Sequence, residues 1–166
     1  IDRPVRKLVG PESFESNFSH CYTNPDGRTH FVIYWPNINS LIENAQVGDK
    51  VYSEEFLSRN NWRWRLMIYP SGNTANSEDH ISVFLEAVLD EDEVGKDWSR
   101  YVNFNFYTHS PVRRRSNGEG GTKEFSPRNA DWGLAQFINS KARPDVLDHG
   151  LYLELVVRPQ PNLYSY

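Results

Sequence analysis

Six short runs in which apolar and polar residues tend to alternate set the strongest constraint on the fold of this 166-residue chain. The runs cover residues 29–34, 50–56, 62–69, 80–89, 100–109 and 150–158. They are rich in aromatic and β-branched residues, which favour pleated and half-buried surfaces. Turn-forming residues separate them at nearly regular intervals, as they do in β-sandwiches and β-barrels. The sequence therefore predicts an all-β domain.

Helical periodicity is nearly absent from the chain. The best candidate is the segment 132–139, for which Asp131 would be the N-cap, and we predict one short helix there. Residues 110–122 are polar and rich in glycine, and we expect them to form a long hairpin loop.

The domain boundaries follow from where the strand pattern starts and stops. Residues 1–27 show no strand pattern and are predicted to be an N-terminal flank. The folded domain is expected over residues 28–158, and residues 159–166 are expected to form a C-terminal tail. We expect this domain to be monomeric.

Charge and cysteine content exclude several classes of partner. The net charge is −4, whereas a sequence-independent nucleic-acid binder needs an excess of Lys and Arg. No apolar run approaches the about 18 residues that span a membrane. We therefore expect neither nucleic acid nor a membrane as partner. Cys21 is the single cysteine, so an internal disulfide is excluded and the cytoplasm or nucleus is the favoured location.

Strand phase identifies an aromatic residue that does not belong to the predicted core. In the run 80–89, the apolar residues at 81, 83, 85 and 87 share one face. This places Phe84 on the opposite face, beside the polar residues Ser82 and Glu86. A large aromatic side chain among polar neighbours indicates a binding surface. In the run 102–106 the phase alone does not decide which residues face the core.

The candidates for catalysis and metal binding are weak. Cys21 follows His20 directly, and sequence neighbours rarely have nucleophile–base geometry. The five histidines are too dispersed for a zinc site, and we expect no cofactor. Glu86 and Glu154 lie in predicted strands and could act as paired carboxylates. The alternative function is therefore a small secreted carbohydrate-active β-sandwich, either a glycosidase or lectin-like.

Two polar motifs have both a functional and an ordinary interpretation. Arg113, Arg114 and Arg115 could form a nuclear address or a phosphate contact, or only a solvated loop tip. Asp131, Trp132 and Gly133 could offer an accessible backbone beside a flat ring. An extended peptide could pair with that backbone by strand addition, with Asp131 accepting a hydrogen bond from a Ser or Thr hydroxyl. Equally, Trp132 could be a core anchor and Asp131 a helix cap.

Several segments together resemble the MATH (meprin and TRAF homology) family. They are residues 29–34 with Trp35 and Asn37, residues 64–73, residues 81–85, residues 131–138 and residues 151–157. Their order and spacing match the family over about residues 28–158. The resemblance implies an eight-stranded antiparallel β-sandwich.

The resemblance also implies a function and a set of binding residues. Members that recruit substrates in the ubiquitin pathway are the most similar at the Asp-Trp-Gly segment. The implied function is docking of Ser-containing linear motifs of substrate proteins to a deubiquitinase or a ubiquitin-ligase adaptor. The domain itself would not be an enzyme, although the parent protein could be a ubiquitin-specific cysteine protease. The implied peptide-binding residues are Phe84, Phe104, Asp131, Trp132, Gly133 and Leu134, together with Lys123 in place of a family aromatic and Arg59 in place of a family arginine.

Overall fold

A computed structural model describes residues 18–109, 115–116, 118–142 and 147–161. These residues form ten strands, one α-helix and one 3-10 turn. The elements in chain order are β1 (Phe18–Thr23), β2 (Thr29–Trp35), α1 (Ile38–Asn44), β3 (Val51–Tyr52), β4 (Phe56–Leu57), β5 (Arg63–Tyr69), the 3-10 turn (Ala75–Ser77), β6 (His80–Val88), β7 (Arg100–His109), β8 (Glu119–Phe125), β9 (Asp131–Asn139) and β10 (Leu151–Pro159).

The strands form two antiparallel sheets. Sheet A has the order β1-β2-β10-β7-β8, and sheet B has the order β3-β5-β6-β9, with β4 also paired to β5. Alternating apolar residues of both sheets point inward and form one shared core. The predicted all-β antiparallel sandwich is confirmed, although the described residues contain ten strands instead of eight.

A buried arginine joins the two sheets at the end where β9 begins. Arg100, the first residue of β7, is fully buried. Its guanidinium donates to the carbonyl oxygens of Arg63 (2.5 Å) and Val88 (2.9 Å), which are cross-strand partners in sheet B. It also forms an ion pair with Glu93 at 2.7 Å. The terminal nitrogens of the buried charge are thereby paired inside the fold, whereas its Nε has no hydrogen-bond partner among the described residues.

The prediction of a helix at 132–139 is wrong, because this segment lies in the strand β9. Its pairing with β6 shifts between Ile81, opposite Ile138, and Val83, opposite Leu134. Two extra residues of β9 are accommodated there. Such a bulge interrupts the two-residue alternation of a strand, and the resulting spacing of apolar residues resembles a helical period.

Other elements were missed because their sequences are short or polar. The predicted flank 1–27 contains β1 in its described part, and the predicted loop 110–122 contains the first residues of β8. Both are edge strands, which are often polar. The helix α1 buries only Ile38 and Leu41, too few for a visible periodicity. No helix in the described ranges is long and apolar enough to span a membrane.

Candidate functional site: the β9 edge

β9 is the outermost strand of sheet B, and β8 is the outermost strand of sheet A on the same side of the sandwich. A tight turn closed by mutual backbone hydrogen bonds between Ser126 and Asn129 connects them. Within the part of the chain that the structure describes, β9 pairs as a strand only with β6. The opposite edge of β9 therefore presents backbone donors and acceptors without a strand partner. We call residues Asp131–Leu134, with Phe84 and Lys123 beside them, the β9 edge.

The outer face of the β9 edge depends on a glycine. Gly133 lies opposite Phe84 in the pairing of β9 with β6. A Cβ atom on Gly133 would lie 2.0 Å from the Val83 carbonyl oxygen and 2.9 Å from Cδ2 of Phe84. The absence of a side chain thus lets the half-buried Phe84 ring lie against the β9 backbone. Tyr69 supports this ring from β5 in an edge-to-face contact, with 5.7 Å between the ring centres.

Asp131 introduces negative charge on the same face. It lies opposite Glu86 in the strand pairing. Partial burial and the Glu86 charge raise the pKa of Asp131, while the positive charge of Lys50 partly offsets this rise. Glu86 is itself held by Arg65, whose Nε lies 2.5 Å from its carboxylate. Among the described residues the Asp131 carboxylate has no hydrogen bond or ion pair, so it is available as an acceptor.

The inner face of the β9 edge is formed by Trp132 and Leu134, which alternate with Asp131 and Gly133. The indole Nε1 of Trp132 donates to the Glu124 carbonyl oxygen of β8 at 2.9 Å. The ammonium of Lys123 lies 4.7 Å from the ring centre of Trp132, which is cation–π distance. The half-buried indole is therefore fixed between the two edge strands, with part of its surface accessible.

Six of the eight sequence-predicted binding residues meet at this edge, and two do not. Phe104 is only 3% exposed and contacts Phe106 and Phe125 in the core of sheet A. Its alternation with Asn103 and Asn105, left open by the sequence, places the aromatic phase inward. Arg59 follows β4 and donates to the Pro25 carbonyl oxygen in the β1–β2 turn at 2.9 Å. The burial of Phe104 is therefore at odds with its predicted role as a peptide-binding residue, and Arg59 lies away from the β9 edge.

The paired-carboxylate alternative fails on geometry. Glu86 lies on the outer face of sheet B, where it contacts Arg65. Glu154 lies on the outer face of sheet A, where it contacts His30 and His109. Two carboxylates on opposite sides of a sandwich cannot act on one glycosidic bond, because the catalytic pair must lie within about 10 Å.

The remaining catalytic and metal candidates gain no support. Cys21 lies in β1, and partial burial with the nearby Glu54 charge raises the pKa of its thiol, which disfavours the nucleophilic thiolate. Among the described residues there is no group of three or more His, Cys, Asp or Glu that could hold a metal ion. Arg113 and Arg114 lie outside the described residues.

Sequence reasoning missed a polar cluster on the outer face of sheet A. The Glu154 side chain is 7% exposed and accepts hydrogen bonds from His30 Nδ1 (2.7 Å), His109 Nε2 (2.9 Å) and Arg115 Nε (2.9 Å). Burial raises the pKa of Glu154, but these histidine hydrogen bonds and the Arg115 charge outweigh it and lower the pKa overall. The alternation of polar residues from Asn103 to His109 is the sequence signal that could have revealed this face.

The two-sheet architecture defines the class of protein, an antiparallel β-sandwich in which one edge of β9 has no described strand partner. A family model described as MATH domain matches residues 30–145, more than half of the chain. The chain therefore belongs to the MATH domain family, whose members are protein-interaction domains and not catalytic ones.

Similar proteins agree with this assignment. Two MATH domain and coiled-coil domain-containing proteins of Arabidopsis thaliana are 29% identical over 92 residues and 34% identical over 77 residues. The matches cover 55% and 46% of this chain but only 29% and 23% of those proteins. The chain thus spans less than a third of these curated relatives. Among solved structures, Notothenia coriiceps TRAF5 matches with a TM-score of 0.53 and 14% identity, covering 87% of this chain and 78% of that one.

Proposed function

We propose that the β9 edge binds an extended, Ser-containing segment of a partner protein by strand addition. The observation that carries this proposal is the position of β9, which pairs on one side with β6 and on the other side with no described strand. An added peptide strand would satisfy the open backbone groups of β9, which provides affinity without sequence preference.

Side chains on the two faces of β9 would supply the specificity. In an added strand, successive peptide side chains point to opposite faces of the sheet. On the inner face, a small apolar side chain would lie against Trp132 and Leu134. On the outer face, a Ser hydroxyl would donate to the Asp131 carboxylate, next to the Phe84 ring. The favoured ligand is therefore a short segment with a small apolar residue and a serine on opposite faces.

The affinity of such an edge is modest. An extended peptide loses conformational freedom when it binds, so we expect a dissociation constant of about 1 μM, or about −8 kcal/mol. Weak and reversible docking suits the recruitment of substrates. We propose that the parent protein uses the domain to bring substrates to a ubiquitin-pathway enzyme, either a deubiquitinase or a ubiquitin-ligase adaptor, in the cytoplasm or nucleus.

A peptide array tests the proposal. Ser-containing peptides of varied sequence are probed with the wild-type chain, and the selected peptides are then titrated by fluorescence anisotropy. Trp132→Ala should weaken binding by about thirtyfold, corresponding to about 2 kcal/mol for the loss of an aromatic hot spot. Trp62→Ala is the matched control, because Trp62 is also a partly buried tryptophan at the core boundary but lies outside the β9 edge.

The two variants separate binding from stability. Both should lower the free energy of unfolding, and only Trp132→Ala should weaken peptide binding about thirtyfold. If the wild-type chain captures no peptide, or if the Trp132→Ala and Trp62→Ala variants bind peptide with equal affinity, the β9 edge is not the docking site.

A further inference from the structure

A second concave site lies on the outer face of sheet A, away from the β9 edge. It has a volume of about 400 Å³, within the range of small-molecule sites. Arginines from three separate segments line it: Arg28 before β2, Arg115 before β8 and Arg158 in β10. The peptide-docking function assigns no role to this cavity.

Three paired strands of sheet A, β2, β10 and β7, form the base of the cavity. Val156 of β10 lies opposite His30 of β2 and Asn105 of β7, so these three residues form one row across the central strands. Arg158 lies opposite Asn103 in the next row. Both neighbours of β10 are paired to it along their length, which fixes the spacing of these side chains.

The arginines retain unused hydrogen-bonding capacity. Arg115 donates through Nε to Glu154, and its guanidinium lies 3.5 Å from the ring centre of Tyr107. Arg28 approaches Asp26 only through Nε, at 3.5 Å. The guanidinium of Arg158 has no partner among the described residues. Within the described residues the terminal nitrogens of all three groups are therefore available, and this arrangement suits an anion with several acceptor oxygens.

Neutral amides complete the lining. Asn103, Asn105 and Gln160 lie around the same cavity. Asn105 donates to Asn103 at 3.2 Å, and Asn103 donates to Thr122 at 3.0 Å. These bonds orient the amides and leave the side-chain oxygen (Oδ1) of Asn105 without a partner within the described residues. Side-chain amides both donate and accept, as recognition of ligand hydroxyl groups requires.

We infer that this cavity binds a small phosphorylated polyol, such as a sugar phosphate, with the phosphate on the arginines and the hydroxyls on the amides. A phosphate monoester carries close to two negative charges at pH 7 and three acceptor oxygens. The described lining residues are mostly polar, and Val156 is the single aliphatic residue among them, so a largely apolar ligand does not fit the cavity.

Calorimetric titration of the 166-residue chain with glucose 6-phosphate, inorganic phosphate, glucose and phosphoserine tests this inference. Glucose 6-phosphate should bind saturably, and inorganic phosphate and phosphoserine should bind at least about tenfold more weakly, because inorganic phosphate lacks the polyol and phosphoserine has charged amino and carboxyl groups in its place. Glucose alone should not bind at the same concentrations. Amide chemical shifts in β2, β7 and β10 should change on titration, and those of β9 should not.

Arg158→Gln should weaken glucose 6-phosphate binding about tenfold or more, because it removes a charge-assisted contact. Arg128→Gln is the matched control, since Arg128 is exposed in the β8–β9 turn. Both variants should unfold at the wild-type temperature. The inference is overturned if glucose 6-phosphate does not bind saturably, or if Arg128→Gln weakens glucose 6-phosphate binding as much as Arg158→Gln does. It is also overturned if inorganic phosphate or phosphoserine binds as tightly as glucose 6-phosphate.

Discussion

The β9 edge and the outer face of sheet A differ in which chemical groups they leave open. At the β9 edge no described strand pairs with one side of β9, so backbone groups are open there. On the outer face of sheet A, β10 is paired on both sides, to β2 and β7, and all open groups belong to side chains. The first surface can recognise the repeating backbone of an extended chain, whereas the second can recognise only discrete charges and hydroxyls.

The two surfaces also differ in electrostatics. At the β9 edge, partial burial and the Glu86 charge raise the pKa of Asp131. On sheet A, histidine hydrogen bonds and the Arg115 charge overcome the effect of burial and lower the pKa of Glu154. Among the described residues the Asp131 carboxylate has no hydrogen bond or ion pair, whereas the Glu154 carboxylate has three partners, His30, His109 and Arg115. We therefore expect a binding role for Asp131 and a structural role for Glu154.

Glu154→Ala should have the largest effect on stability. The substitution removes a buried carboxylate and leaves His30, His109 and Arg115 without their hydrogen-bond acceptor. We expect this loss to lower the free energy of unfolding by about 2–3 kcal/mol. Urea denaturation measures this loss. Peptide affinity should be unchanged, because the cluster lies away from the β9 edge. Glu91→Ala, at an exposed acidic residue, is the control and should cost nothing measurable.

The pH dependence of the Glu154 contribution has a defined sign. Because the folded-state pKa is lowered from its ordinary value of 4.5, the ionised carboxylate stabilises the fold above that value. This stabilisation should be lost as the pH falls below 4.5 and through the folded pKa. The stability difference between the wild type and Glu154→Ala should shrink over that range. A difference that stays constant would contradict the assigned role.

Gly133→Ala should have an intermediate effect on stability and a large effect on peptide binding. The new Cβ would meet the backbone of β6, so β9 must move away from Phe84, at a cost of about 1–3 kcal/mol. Gly121→Ala in β8 is the matched control for stability, because a Cβ there meets nothing within 4 Å. Equal unfolding midpoints for the two variants would show that the close contact between Gly133 and Phe84 is not a constraint.

The smallest expected effect is on the pH profile of peptide binding. Affinity should fall as Asp131 is protonated, and because its pKa is raised, the fall should begin above the pH expected for an ordinary aspartate. Glu86→Gln removes a cause of the raised pKa and should shift the fall to lower pH. Asp131→Asn should bind more weakly and show no such fall. A wild-type profile that matches Asp131→Asn would exclude a role for this carboxylate.

The strand pattern of the sequence predicted most of the central strands of the sandwich but missed its edge strands in part. The central strands alternate clearly, and the run 100–109 matches β7 at both ends. Edge strands do not follow this pattern, because one of their sides is solvated and they tolerate polar residues and glycine. The first residues of β8, which include both of its glycines, therefore fell within the predicted loop 110–122, and the bulged strand β9 was predicted to be helix over 132–139.

The residues of the candidate site also divide into those that the sequence predicted and those that it did not. The exposed face of Phe84 followed from strand phase alone, and Asp131, Trp132 and Gly133 followed from local chemistry and the family resemblance. The contact of Lys123 with Trp132 and the cavity on sheet A depend on cross-strand neighbours that are distant in sequence. For Phe104 the alternation with Asn103 and Asn105 agrees with the observed core position, and it was the family resemblance that assigned this ring to the binding surface.

Amide hydrogen exchange of the 166-residue chain, with and without a peptide selected from the array, tests strand addition most directly. The account predicts slower exchange at the β9 amides of Asp131–Leu134 that point away from β6, because the added peptide would accept their hydrogen bonds. Exchange on the outer face of sheet A should not change. Saturating peptide that leaves the exchange of these β9 amides unaltered would contradict the account.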